Sequence, residues 1–364
     1  MQCIYLNARS LVNKFDDFSA LVSDLNPDII GVTESWTNAD INDAEILLPG
    51  YTLFRCDRPT DNKGGGVLLY VRSSLNPVCF IPKSKYPEHI WCKLNIAKNV
   101  ELVVGVCYRS TNSEIFDYDS HSALCNLISE VSSKHVLLMG DFNYPSIDWI
   151  AHGVHSGGSV EAKQFMDQLD ECFFTQHITS PTRQNTTLDL VITSEPDFVQ
   201  DIAVGPPLAT SDHNMITWNC IADVNHKTTQ CTKLNYAKAN FEEIKARLRA
   251  TDWDTLLAGD IHHCWQRFKN IIFELERKYV PLSKSSKGIF KPIWMTNKVK
   301  KLVAKKRQVF KKYKSSSHPA CVTINVKTSK AVKKAKRNFE KMLARNIKTD
   351  KKSFFCIRQK QMQS

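Results

Sequence analysis

The chain has 364 residues, 42% of them hydrophobic, and a formal net charge of +12. That is enough apolar material for at least one large core, and no run approaches the ~18 apolar residues a membrane span needs. The charge is sharply divided. Residues 1–220 hold 14 Lys and Arg against 27 Asp and Glu, whereas residues 221–364 hold 35 against 10. An acidic part suited to metal binding and a basic part suited to a polyanion such as nucleic acid therefore meet near residue 220. The 12 cysteines are scattered without any Cys-x-x-Cys pair, and several sit in apolar runs. They read as small hydrophobes in a reduced, intracellular protein rather than as a disulfide framework. His262-His263-Cys264 is too compressed to form a zinc site. No signal peptide precedes Cys3.

In chain order, Gln2 to Asn7 is an apolar run predicting a first strand. Its place directly after Met1 suggests a truncated or re-started reading frame. Ser10 offers a cap to a helix with Leu11, Phe15, Phe18, Leu21, Val22 and Leu25 at helical spacing, and Asn26-Pro27 ends it. A buried strand over 28–33 follows and terminates at Glu34, completing a strand–helix–strand crossover. Further strands are predicted at 52–55, 66–72, 89–95 and 102–108, with turns at Asp61-Asn62-Lys63-Gly64 and Lys98-Asn99. Gly64-Gly65-Gly66 lacks the Lys-Ser/Thr of a P-loop and opens a strand rather than a helix, so it reads as a tight turn. A helix over 120–133 leads into the apolar run Val136 to Met139, which ends at Gly140-Asp141-Phe142-Asn143. A second amphipathic helix spans 160–169. Strands at 188–193 and 215–221 follow, the latter preceded by Thr210-Ser211-Asp212-His213. The segments 144–158 and 193–210 read as loops.

Beyond residue 221 the composition changes. Residues 236–279 look helical, with Phe241, Ile244, Leu248, Trp265, Phe268, Ile271, Ile272 and Leu275 as candidate packing positions. After a Pro/Ser/Gly/Lys linker at 281–292, two lysine-dense helices at 298–314 and 327–348 flank a turn at Ser315-Ser316-Ser317-His318-Pro319. The expected organisation is a catalytic-type domain at 1–222, a helical connector at 223–280 and a basic helical tail at 281–364. A net charge of +25 beyond residue 220 favours polyanion binding that weakens steeply with salt, with little reading of bases.

Polar, potentially reactive groups fall at six strand ends: Asn7, Glu34, Tyr108, Asp141 with Asn143, Asp189, and Asp212 with His213. Any one of them has an ordinary reading as a cap or a solvated residue; coincidence at every end does not. Four carboxylates brought together need a cation or protons to offset them, and oxygen donors select Mg²⁺ or Mn²⁺ rather than zinc.

The ordered set Leu6-Asn7-Ala8-Arg9-Ser10, Thr33-Glu34-Ser35-Trp36, Tyr108-Arg109, Gly140-Asp141-Phe142-Asn143, Leu188-Asp189 and Ser211-Asp212-His213 resembles the endonuclease/exonuclease/phosphatase superfamily. More narrowly it resembles the endonuclease domain of non-LTR retrotransposons of the jockey or chicken-repeat kind. Lys291-Pro292-Ile293-Trp294-Met295 and the basic helices are similar to the connector that follows the endonuclease in those elements. The resemblance implies two packed mixed β-sheets flanked by helices, a four-layer α/β sandwich, followed by an α-helical basic region. It implies Mg²⁺-dependent hydrolysis of a DNA phosphodiester that nicks one strand and leaves a 3′-hydroxyl, hence a nuclear location and no membrane partner.

By the same resemblance Glu34 is the main metal ligand, with Asp212 and Asn7 completing the shell. His213, oriented by Asp189, contacts the scissile phosphate. Asp141 activates the water, and Asn143 and Tyr108 hold phosphate oxygens. Arg9 stands where the apurinic-site repair branch has a second acid, and it is free to pair with Glu34 or touch the DNA backbone. No Tyr-x-Asp-Asp polymerase motif occurs, so the chain reads as a fragment of an element-encoded protein or a gene derived from one. A phosphomonoesterase of the same fold and a catalytically silent nucleic-acid-binding relic are the competing readings. Oligomeric state has no signature in the sequence.

Overall fold

The computed structural model describes residues 1–58, 64–97, 100–111, 120–222, 236–281 and 291–346. The expected turns at Asp61-Asn62-Lys63 and Lys98-Asn99, most of the 281–292 linker and the end of the second basic helix lie outside those residues. The chain divides into two compact units, Met1–His226 with Ile289–Ser364, and Lys227–Gly288.

The first unit begins with the expected crossover. Strands β1 (Gln2–Asn7) and β2 (Ile29–Thr33) are parallel and joined through helix α1 (Phe15–Leu25). Asn26 ends α1 in the left-handed region and donates its N–H to the Val22 carbonyl, and Pro27 prevents continuation. A short helix α2 (Asp43–Ile46), capped by Asn42, precedes β3 (Tyr51–Cys56) and β4 (Val67–Arg72). Next come β5 (Val78–Phe80), β6 (His89–Ala97), β7 (Val100–Tyr108), α3 (Ser120–Val131) and β8 (His135–Asp141). A two-stranded ribbon, β9 (Ile147–Asp148) and β10 (Gly153–Val154), lies within the segment expected to be loop. Then follow α4 (Val160–Glu171), β11 (Thr175–Gln176), β12 (Asp189–Thr193), β13 (Val199–Gly205) and β14 (Met215–Cys220).

These strands build two six-stranded mixed sheets, β13-β14-β1-β2-β4-β3 and β11-β12-β8-β7-β6-β5. In each sheet one parallel pair, β1/β2 or β7/β8, is surrounded by antiparallel neighbours. The facing sides interlock through Tyr5, Leu69, Val104, Val106, Met139 and Trp218. α1 covers the outer side of the first sheet, with Phe18 and Val22 against Ile4 and Ile30. α3 and α4 cover the second, with Leu124 and Phe165 against Val136 and Leu138. This is the four-layer sandwich expected. Strand β13 escaped the sequence reading because it is an edge strand with four consecutive exposed positions, so it carries no period-2 pattern. The ten cysteines among the described residues are free, and burial pushes the Cys92 thiol up to about 12.

The β6 histidine makes the sandwich acid-sensitive. Trp91 Nε1–H, a donor only, bonds His89 Nδ1 at 3.0 Å, so that nitrogen carries a lone pair and the ring is neutral. Burial depresses its pKa to about 4. The unfolded chain therefore takes up this proton first as pH falls from ~6.5, and stability is lost between there and about 4. The group accounts for at most about 3 kcal/mol. Denaturant titrations of wild type and His89→Gln across pH 7 to 4.5 should show a slope shallower by one proton in the variant.

The second unit is helical. The expected continuous stretch is broken into α5 (Phe241–Ala250), α6 (Trp253–Leu256) and α7 (Ile261–Tyr279), whose N-termini are capped by Asn240, Asp252 and Asp260. None of their side chains is fully buried; Trp265 stacks on Phe268 yet remains 57% exposed.

The two basic helices belong to the first unit. They are α8 (Asn297–Tyr313) and α9 (Pro319–Asn346). The second starts earlier than expected, because Pro319 opens the helix instead of closing a turn: its missing N–H falls where helices leave donors unpaired anyway. Val299, Val303 and Val332 pack with Ala20 of α1.

Candidate active site

The topology places the sequence-predicted polar groups on one rim. Parallel β1 and β2 end there at Asn7 and Thr33, and β7 and β8 end there at Tyr108 and Asp141. Antiparallel β12 begins at the same rim, with Asp189 registered directly opposite Asp141. Antiparallel β14 begins there too, just after Asp212 and His213. A strand that ends and an antiparallel neighbour that starts share an edge, which is why both kinds of position converge.

The centre is a buried triad. His213 Nδ1 lies 2.8 Å from Asp189 Oδ2, and its Nε2 lies 3.9 Å from Asp141 Oδ2. The ligand-type atoms of these three residues lie within 4.8 Å of one another. Burial works against charge on His213, but Asp189, Asp141 and Asp212 outweigh it and push the imidazole up to about 9. Burial, then Asp189 and Glu34, hold the Asp141 carboxyl well above the usual range, against the pull of His213 and Asn7.

The two sheets are stitched together here. Asn7 Nδ2 donates to Asp141 Oδ2 at 2.9 Å and to Glu34 Oε1 at 3.1 Å. Tyr5 donates to Asp189 at 3.1 Å and accepts from the Thr33 hydroxyl at 2.6 Å, since its one proton is already committed. Tyr108 donates to Glu34 Oε1 at 3.3 Å, and Trp36 Nε1 donates to Oε2 at 3.2 Å. Glu34 and Trp36 adopt positive φ, which costs a non-glycine residue roughly 1 kcal/mol each. They are held by backbone bonds from Ser35 to Gly66 and from Trp36 to Gly65. The glycine turn is thus a brace for Glu34. At Gly65, φ is +68° and a Cβ would stand 2.1 Å from the Glu88 carboxylate.

Not every expected residue joins the cluster. Asp212 faces two arginines: Arg9 at 3.0 Å, and Arg183, whose Nε and Nη2 both lie 2.9 Å from Oδ2. Burial opposes its charge, but Arg9, His213 and Arg183 prevail and lower its pKa. Arg9 accordingly pairs with Asp212, not with Glu34. Asn143 turns its side-chain amide to the Arg109 carbonyl at 2.7 Å and meets the cluster only through its backbone N–H to Asp141, at 3.2 Å.

The sequence reading quoted Trp36 beside Glu34 without giving it a role, and it missed Tyr5, Lys14 and Arg183 as supporting residues. Lys14 is 9% exposed and donates to the carbonyls of Ala8 and Arg9, pinning the loop after β1. Nothing local distinguishes these side chains. Ser211, adjacent to Asp212 in the quoted motif, was findable; its hydroxyl donates to the Asn7 carbonyl at 2.7 Å.

A divalent cation fits this donor set. Buried carboxyls of Asp141 and Asp189, with Glu34 beside them, crowd negative charge that only protons or a cation can offset, and the raised Asp141 registers that crowding.

The model of the Endonuclease/Exonuclease/phosphatase family matches residues 2–213. The chain belongs to that family, and its fold is that of the family's phosphoester hydrolases. No curated protein matches the chain. Solved structures similar to it include the endonuclease domain of TRAS1, a telomere-specific non-LTR retrotransposon: 14% identity, TM-score 0.47, 61% of this chain and 98% of that one. The AP endonuclease LMAP from Leishmania major is similar at 13% identity and TM-score 0.49, over 60% of this chain and 87% of that one. The 3′ phosphatase NExo from Neisseria, bound to product DNA hairpin, shows 17% identity and TM-score 0.46, over 61% and 99%. At such identities the likeness is one of fold. No helix among the described residues is long and apolar enough to cross a membrane.

Proposed function

We propose that the chain is a Mg²⁺- or Mn²⁺-dependent DNA endonuclease derived from a non-LTR retrotransposon, nicking one strand to leave a 3′-hydroxyl and acting in the nucleus. The observation that carries this reading is the convergence of Asn7, Glu34, Asp141, Asp189 and His213 at one rim, bonded across both sheets.

In this reading Glu34, with Asn7 beside it, would hold the cation, which would supply positive charge against that developing on the phosphate, whereas Asp212 is engaged by Arg9 and Arg183 and would join only if those pairs opened. Asp141 accepts the proton of the attacking water, and its raised pKa brings it closer to the operating pH of a general base. Asp189 fixes the His213 ring through Nδ1, leaving a cationic Nε2–H free to donate to a phosphate oxygen. Tyr108 is positioned to donate at the same place once its bond to Glu34 opens, and Asn143 supports the loop beside it. The exposed lysines of α8 and α9 are read as contacts to the DNA backbone.

Supercoiled plasmid should be converted to the open circle with Mg²⁺ and not in chelator, and the nick should be extendable by a polymerase. His213→Ala should abolish conversion. Release of phosphate from monoesters without nicking would replace this reading with a phosphatase.

A further inference from the structure

The loop that delivers His213 is not held by the sandwich alone. Residues 206–214 connect β13 to β14. Their second half is anchored by Ser211 N–H to the Leu208 carbonyl within the loop and, toward the sandwich, by the Ser211 hydroxyl to Asn7, Asp212 to Arg9 and Arg183, His213 to Asp189, and Asn214 N–H to Thr182. Pro206 and Pro207 contribute no N–H, and Ala209 sits at φ +45°, a conformation an alanine adopts only when its surroundings impose it. Leu208 and Ala209 are nonetheless 3% and 5% exposed.

The α8–α9 hairpin meets this loop. Lys306 Nζ donates to the Pro207 carbonyl at 2.7 Å, and Asn325 Nδ2 donates to the Ala209 carbonyl at 2.5 Å. The hairpin is itself fixed to α1. Arg307 pairs with Asp24, Lys336 with Asp16 at 2.8 Å, and Ser329 donates to Asp17 at 2.8 Å. Between residues 291 and 346 stand 18 Lys and Arg and a single acid, Glu340. A helix pair serving only a polyanion would leave its cations outward. Here Lys306, Arg307 and Lys336 are turned onto the nuclease sandwich, and burial pushes the Lys306 ammonium down to about 8.

We infer that the α8–α9 hairpin is a working part of the active site, with Lys306 and Asn325 as positioning residues. They hold the 207–209 backbone so that His213 reaches Asp189. The inference rests on the nuclease reading for its kinetics. Its physical content is simple: two carbonyl anchors and a hydrophobic cover keep a left-handed turn from relaxing, and a catalytic group displaced by about 1 Å costs on the order of 10²-fold in rate.

The test uses the full chain. Lys306→Met keeps the stem and removes the donor; Asn325→Ala removes the other donor without touching the α1 contacts. Each variant should lose about 10-fold, and the double variant about 10²-fold, in kcat for plasmid nicking, with KM changed less than about twofold. Amide exchange over 206–214 should accelerate at least about 10-fold, while that of β8 stays slow. Replacing the outer-face lysines Lys301, Lys305 and Lys312 by alanine should give the opposite pattern, a raised KM and a salt slope reduced by up to about 3. If Lys306→Met and Asn325→Ala nick with wild-type kcat, or if loop exchange is unchanged, the inference is overturned. Should the wild-type chain nick nothing, the nuclease reading fails, and exchange alone decides whether the hairpin braces the loop. If the double variant does not fold, Asn325→Ala alone carries both measurements.

Discussion

Asp141→Asn is expected to reduce nicking by about three orders of magnitude while raising the melting temperature measured in chelator. The two effects have one origin. Asp141 is 1% exposed and is crowded by Asp189 and Glu34, so its carboxylate is disfavoured in the folded chain. The raised pKa makes it a better proton acceptor, but it also means that folding opposes ionisation of this group at neutral pH. Asparagine keeps the shape and removes the charge. Its carbonyl can still accept from Asn7, now 2.9 Å from the carboxylate oxygen, and of the hydrogen bonds the variant gives up only the longer 3.2 Å one from the Asn143 N–H, a loss smaller than the repulsion removed. Activity falls because an amide cannot take a proton from water, and stability rises because the repulsion is gone. Nicking rates paired with thermal melts check both halves. A variant that loses activity and stability together would instead make Asp141 a structural acid.

Gly140→Ala is expected to destabilise the sandwich by about 3 kcal/mol and to abolish activity with it. A Cβ at this position would stand 2.0 Å from the Cys107 carbonyl oxygen and 2.9 Å from its carbon, both backbone atoms of the neighbouring strand β7. No rotamer change relieves a clash with backbone, so β7 and β8 must separate. They are registered there as Cys107 opposite Gly140 and Tyr108 opposite Asp141. Any separation displaces Asp141 from His213 and Asn7 as well. Urea titration measures the loss, and the residual folded fraction should still nick poorly. An alanine variant with wild-type stability would mean that β7 gives way without cost.

Some of this was legible in the sequence because the signal is local. A strand buried on both faces announces itself as an apolar run, and the residue that ends it is read directly; Glu34, Tyr108 and Asp141 were found that way. Asp189 and His213 lie at strand starts, and it is the antiparallel pairing of β12 and β14, seen only in the structure, that brings those starts to the same rim. The edge strand β13 and the breaks at Asp252 and Asp260 were not legible. The first has no buried face to create a pattern, and the second are caps inside a stretch whose composition is helical throughout.

The amino-acid sequence by itself determined the strands and the polar groups at their ends, because each follows from short-range patterns of burial and polarity; the family and the sandwich were legible only through the resemblance carried by the ordered motifs. Only the tertiary structure decided how those groups are partnered. Arg9 and Arg183 meet on Asp212, Tyr5 spans the sheets to Asp189, and Lys306 and Asn325 hold the turn before His213. Lysine 306 looks like its neighbours in a basic helix. What separates it is which carbonyl lies within 3 Å, and that distance is set by the packing of α8 on α1 rather than by any residue beside it in the chain.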